Sequence, residues 1–167
     1  SLGAKVIVSA AAEVNQHLVE TSNESYVADH LQDNVKGYDE ARLEVSAMAS
    51  VRYKPAERLG IALNLRQGMV GNDGFPFIPA IFVDWIVVPR WNLAVKASAT
   101  RNVRYPTLND LYFKPGGNPE LLPERGLTYD GGAEFTIVGK RVEYGASVSA
   151  YDSYIDDWIL WTETGKG

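Results

Sequence analysis

Residues 41–53, ARLEVSAMASVRY, decide how the rest of the chain is read. Ala41, Leu43, Val45, Ala47, Ala49, Val51 and Tyr53 alternate with Arg42, Glu44, Ser46, Met48, Ser50 and Arg52. A strand turns successive side chains to opposite faces, so this spacing sorts an apolar row from a polar one. Globular strands average about 5 or 6 residues, whereas a tilted membrane strand needs roughly 9 to 11 or more. The unbroken length of the pattern points to the second.

The same period recurs on both sides. Toward the N-terminus, Ala4, Val6, Val8, Ala10, Ala12 and Val14 alternate with Lys5, Ser9 and Glu13. Alanine and glutamate in SAAAEVNQHLVE favour helix by propensity, but the β-branched start and the alternation make this a strand. The polar stretch Thr21 to Gly37 reads as a long loop. Toward the C-terminus come a short turn at Lys54 to Arg58, a strand from Leu59, a long loop at Gly68 to Pro79 and a strand at Ile81 to Val88. Pro89-Arg90-Trp91-Asn92 is a tight turn, and Leu93 to Ala99 alternates again. After the long stretch Arg101 to Gly126, Thr128 to Ile137 alternates. Gly139-Lys140 is a hairpin signal, and Val142 to Ala150 leads into YDSYIDDWILW.

Long loops and short turns therefore take turns along the chain. Short turns at one end and long loops at the other describe the wall of an up-and-down outer-membrane barrel, whereas soluble sandwiches carry irregular Greek-key connections. The expected fold is all-β, an antiparallel up-and-down meander of about seven long strands. Seven is odd, and closed single-chain bacterial barrels have even strand numbers. The meander is thus expected to be part of a larger transmembrane barrel. Two open strand edges and an apolar outer face predict that the isolated piece self-associates.

Composition is compatible with this. Hydrophobic residues make up 46% and charged residues 22% of 167 residues, which is a folded composition. A net charge of -5 gives no support for nucleic-acid binding, which needs a basic stripe. The absence of cysteine removes disulfides, thiol catalysis and thiolate metal sites. No run approaches the roughly 18 to 20 apolar residues of a membrane helix. The mean hydropathy of -0.17 leaves a barrel open, because lipid-facing residues alternate with polar ones. The start, SLGAKVIVSA, does not read as a secretory signal.

The central stretch, RNVRYPTLNDLYFKPGGNPELLPERG at residues 101–126, holds four of the eight prolines. Its apolar and aromatic residues argue against disorder. At Arg104, Pro106-Thr107, Asn109-Asp110-Leu111-Tyr112, Gly117-Asn118-Pro119-Glu120-Leu121, Pro123-Glu124 and Gly126, the chain resembles TonB-dependent outer-membrane receptors. Tyr129 to Glu134 and Tyr151 to Trp161, with Asp157 and Trp158, resemble the two strands that follow. The resemblance implies a barrel of about 22 strands filled by an N-terminal plug, of which residues 1–167 would be a part without plug, TonB-contacting segment or closing strands. It also implies residence in the outer membrane of a Gram-negative bacterium, against lipid. The activity it implies is TonB-driven uptake of a scarce solute such as vitamin B12, a ferric siderophore or an oligosaccharide. A porin, an adhesin or a soluble β-sandwich is the alternative from the residues alone.

No catalytic or metal site and no cofactor is expected. Asp152, Asp156, Asp157 and Glu163 lack the spacing of a calcium loop and read as solvated strand-end charges. His17 and His30 lack a paired ligand. Trp85, Trp91, Trp158 and Trp161, with Tyr53, Tyr105, Tyr112 and Tyr144, fit membrane-interface girdles. Arg42, Glu44, Arg52, Arg66, Lys96, Glu134 and Glu143 fit a polar lumen. The central stretch reads as a proline-braced connection, because the same motif serves receptors for chemically different ligands. Ligand contacts are then expected on the tips, at Asn72 and Asp73 and at Lys114 and Asn118.

Overall fold

The computed structural model describes residues 5–21, 37–114 and 116–162. The alternating segments form one antiparallel sheet. Its strands are β1 (Lys5–Glu20), β2 (Asp39–Ala56), β3 (Leu59–Val70), the two-residue β4 (Asp73–Gly74), β5 (Ile78–Val88), β6 (Leu93–Arg104), β7 (Glu124–Val138) and β8 (Glu143–Asp156). Their order across the sheet follows the chain, with β4 folded back on β3. The result is the expected meander of long strands.

Register decides which residues share a face. Val8, Val51, Leu63, Ile81, Ala99 and Tyr129 stand side by side across six strands. Another row on the same face, toward the short turns, holds Leu59, Trp85, Val95, Ala133 and Val148. Val8, Leu63, Ile81, Trp85, Tyr129 and Val148 are all exposed, so this face is an apolar surface. The opposite face carries Arg42, Glu44, Arg52, Arg66, Lys96, Glu134 and Glu143. Its side chains pair across strands. Lys96 meets Glu134 at 2.6 Å, Asn102 donates to Thr128 at 2.9 Å, and the Ser98 hydroxyl donates to Asp130.

The strands are longer than side-chain alternation alone marks. β1 runs on through Gln16-His17-Leu18 to Glu20, which overturns the helical alternative for SAAAEVNQHLVE. β2 continues through Lys54-Pro55-Ala56 and leaves only Glu57 and Arg58 as the turn. Most of the expected loop at Gly68 to Pro79 is paired: β3 reaches Val70, β4 folds back, and β5 begins at Ile78. β8 extends through Tyr151 to Asp156, and Asp157, at φ 56°, ends it. Ladder hydrogen bonds belong to the main chain, so pairing persists where the side-chain pattern lapses.

The short turns share one end of the sheet. They are Glu57-Arg58, the 3-10 turn Pro89–Trp91 closed by Asn92 at φ 45°, and the turn where Gly139 N–H donates to Val142 O at 2.8 Å. The connections between β1 and β2, β3 and β5, and β6 and β7 lie at the other end. Most of the first, with His30, lies outside the described residues.

A sheet with one layer has no sandwiched core. Among the described residues no side chain falls below 2% exposure. Among the described residues the buried ones are Ser46, Gly60, Val70, Phe75, Ala80, Pro106, Leu108, Asp110 and Glu124. Gly60 lies beside the Glu57-Arg58 turn, and most of the others gather toward the long-connection end, where the segment after β6 packs onto the polar face. That segment also takes three of the expected girdle aromatics. Tyr105 packs on Phe75, Tyr112 on Tyr38 and Trp161 on Phe113, each at 6.0 Å between ring centres. Tyr53, Trp85 and Tyr144 do stand on the apolar face toward the short turns.

If the apolar face meets lipid, a charge there is penalised and a charge on the other face is not. Leu63→Arg is expected to destabilise the folded wall by about 2–4 kcal/mol, and Asn64→Arg, one residue along, by under about 1 kcal/mol. Urea titration of the product of the complete gene folded into vesicles measures both. Equal losses would refute the assignment of faces.

Candidate functional site

Where β6 ends, Pro106 withholds an N–H and stops the ladder. Thr107 then caps a helix, α1 (Leu108–Tyr112), that the alternation pattern did not anticipate. Thr107 N–H donates to Asp110 Oδ2 at 2.8 Å, and Asp110 N–H donates to Thr107 Oγ1 at 3.1 Å. This reciprocal capping box needs Thr-x-x-Asp spacing, a signal present in PTLND. The surrounding all-strand pattern masks it.

Asp110 does more than cap. Its Oδ1 accepts from Trp161 Nε1 at 2.8 Å, and Arg104 Nη2 lies 3.5 Å from Oδ2. Glu124 Oε1 accepts from Arg104 Nη1 at 2.8 Å and from Ile159 N–H at 2.9 Å. Two nearly buried carboxylates thereby tie together the end of β6, α1, the start of β7 and the chain beyond β8. Burial by itself would raise the Asp110 pKa. The Thr107 N–H, the Trp161 indole, the Thr107 side chain and the Arg104 charge outweigh it, and the carboxyl sits below its ordinary 3.8.

The segment's neighbours dock on it from every side. Arg42 Nη1 donates to the Pro106 carbonyl at 2.5 Å, and Tyr38 OH donates to Asn109 Oδ1. Phe75 packs on Tyr105, and the Arg66 guanidinium stands over the Phe75 ring at 5.8 Å. Gly116 and Gly117 are required by close approach. A Cβ at Gly116 would fall 2.6 Å from the Trp161 ring, and one at Gly117 would fall 2.7 Å from the Phe113 backbone.

Of the motif residues, Arg104, Thr107, Asp110 and Glu124 thus meet in one network. Pro106 contributes its carbonyl, and Tyr112 faces Tyr38. Leu111, Pro119 and Pro123 line a cleft of about 630 Å³ between this segment and the ends of β2 and β3. Asp157 ends β8, and Trp158 is exposed.

The candidate ligand residues separate. Asn72 and Asp73 line the cleft from the β3–β4 turn, where Gly71 takes φ 59°. Asn118 uses its side chain to accept from Glu120 N–H at 3.0 Å, and its own N–H donates to Asp110 O at 2.9 Å. Lys114 is exposed beside it. Trp161 and Arg42 were not among the candidates. Trp161 meets Asp110 across 51 residues, a separation that no local spacing reveals.

Comparison with known proteins bears on what this wall is. Residues 11–167 match the family described as TonB dependent receptor-like, beta-barrel. The chain belongs to this family. A vitamin B12 transporter BtuB of Vibrio vulnificus is 28% identical over 158 residues, 94% of this chain and 21% of that protein. A vitamin B12 transporter BtuB of Photobacterium profundum is 38% identical over 69 residues, 41% of this chain and 11% of that protein. The chain therefore spans at most about a fifth of these relatives' length. Within this TonB-dependent receptor barrel, the described residues hold no cluster of metal-ligating side chains. Asp152, Asp156 and Asp157 are exposed at the end of β8, and Glu163 lies outside the described residues.

Because the Asp110 pKa is lowered on folding, its stabilisation is complete above 3.8 and is lost as pH falls through the folded value. Hydrogen exchange of residues 105–123 is expected to stay slow at neutral pH and to speed up only below that window. Asp110→Asn should cost about 1–3 kcal/mol of local protection and flatten the acid response. Trp161→Phe, which keeps the ring and deletes the donor, should cost about 1 kcal/mol. Unchanged exchange in both variants would mean that the network does not hold the segment.

Proposed function

We propose that this chain is a section of the barrel wall of an outer-membrane active transporter. In this reading TonB-delivered energy moves a plug, and a scarce solute captured at the long-connection end passes inward. The observation that carries it is the two-faced sheet with short turns at one end and braced connections at the other. An apolar outer face suits lipid, and a polar inner face suits a water-filled or plugged lumen. Family membership of nearly the whole chain supports the same reading. Both relatives bear the name vitamin B12 transporter, which makes vitamin B12 the favoured solute. The short turns then face the periplasm of a Gram-negative cell, and Asn72, Asp73, Lys114 and Asn118 lie outward as candidate ligand contacts.

The test is uptake of labelled vitamin B12 by cells that depend on the complete gene. Uptake is expected to vanish when TonB is deleted while surface binding remains. Uptake that continues without TonB would instead indicate a passive channel.

The same reading makes a prediction for residues 1–167 alone. Among the described residues β1 and β8 each pair on one side only, and unpaired edges seek partners. The isolated chain is expected to sediment as assemblies in detergent. A monodisperse monomer would show that its edges are satisfied some other way.

A further inference from the structure

Each of the three short turns carries a cation beyond the end of its strands. Arg58 follows Glu57 between β2 and β3, Arg90 stands in the 3-10 turn Pro89–Trp91, and Lys140-Arg141 lies between β7 and β8. All four side chains are exposed, and among the described residues none of them makes an ion pair. Cations inside the wall behave otherwise. Arg42, Arg66, Lys96 and Arg104 each meet a carboxylate, at 2.7, 3.5, 2.6 and 2.8 Å. The turns thus set four cations against Glu57 alone, in a chain whose net charge is -5. The other end has the reverse balance. Its described connections and the chain beyond β8 set Asp73, Asp110, Glu120 and Asp157 against Lys114.

These cations stand where the apolar face ends. Arg58 directly precedes Leu59, which pairs with Trp85, and Ile86 N–H donates to the Arg58 carbonyl at 2.8 Å. Trp91 follows Arg90 and is 49% exposed. Beside the third turn, Ile137 and Tyr144 pair on the apolar face, and both are exposed.

We propose that this rim binds the phosphates of anionic phospholipid head groups in the leaflet that the short turns meet. The proposal rests on the reading of the apolar face as a lipid-facing wall.

Placement and charge select a lipid surface. Neighbouring hairpins lie two strands apart, roughly 10 Å along the rim, so the cations follow a perimeter and do not converge on one pocket. The Trp and Tyr side chains beside them belong to the level where amphipathic rings meet head groups. Arginine and lysine lay their stems along apolar surface while the charged end reaches the polar layer, and the guanidinium fork matches phosphate. Each cation near an anionic surface favours it by about fivefold, ~1 kcal/mol.

The test uses the product of the complete gene folded into phosphatidylcholine vesicles, with heat-modifiable gel migration as the check on folding. The vesicles carry a trace of photoactivatable lipid, either phosphatidylglycerol or phosphatidylcholine, and adducts are mapped to the three turns. Phosphatidylglycerol is expected to label the turns about fivefold or more above phosphatidylcholine at low salt. That preference should shrink at about 1 M salt, where charges act over only about 3 Å. Replacing all four cations (Arg58→Gln, Arg90→Gln, Lys140→Gln and Arg141→Gln) should bring the ratio close to one. Changing only the three arginines to lysine should keep it. Equal labelling by the two lipids, or an undiminished preference in the glutamine variant, overturns the rim and leaves the wall reading in place. Loss of the preference to millimolar inorganic phosphate at matched ionic strength also overturns it, because the turns would then hold free phosphate. Labelling of the apolar strands by neither lipid overturns the rim and the wall together.

Discussion

Hydrocarbon offers no water to satisfy a backbone amide, and each unmet N–H or carbonyl there costs several kcal/mol. That constraint organises this chain. Every long strand pairs with its neighbour over nearly its full length, and the register shifts fall at Tyr53/Ala56 and Ile86/Val88, next to short turns. Side chains then sort by parity alone. Val51, Leu63 and Ile81 fall on one face and Arg52, Asn64 and Phe82 on the other, so a one-residue slip would invert the wall. Packing contributes little within a single layer, and the backbone ladder and the surroundings of each face carry the architecture.

The long-connection end obeys a different rule. There the chain leaves the ladder, and its free polar groups need other partners. Asp110 and Glu124 collect them. One guanidinium, Arg104, serves both carboxylates, and the remaining acceptor capacity is met by N–H donors of Thr107, Trp161 and Ile159. Removing one partner of such a set leaves a buried charge exposed to its own desolvation penalty. This explains how a loop rich in proline and glycine holds one form around Arg104, Thr107, Asp110 and Glu124. Arg42 extends the brace to β2.

Much of this was legible beforehand. The alternation at Ala41 to Tyr53, the turn at Pro89 to Asn92 and the hairpin at Gly139 each rest on interactions within a few residues, and each formed where expected. Strand ends were less legible. Gln16 and Tyr151 interrupt the side-chain pattern, yet the main chain pairs through them, and Pro55 stays within β2 at the register shift between Tyr53 and Ala56. Helix α1 was legible in principle from Thr107 and Asp110, but its single turn was masked by the strands around it.

The sequence by itself determined the period of the strands, the places where they turn and the two chemically distinct faces, because these depend on neighbours one or two residues apart. Only the tertiary structure decided that Trp161 donates to Asp110, that Ile159 and Arg104 share Glu124, and that Arg42 reaches Pro106 with its Nε unmet. Those contacts join residues from 20 to 64 positions apart. Their partners are chosen by the sheet that brings the ends of β2, β6, β7 and β8 to one side, and no local spacing encodes that proximity.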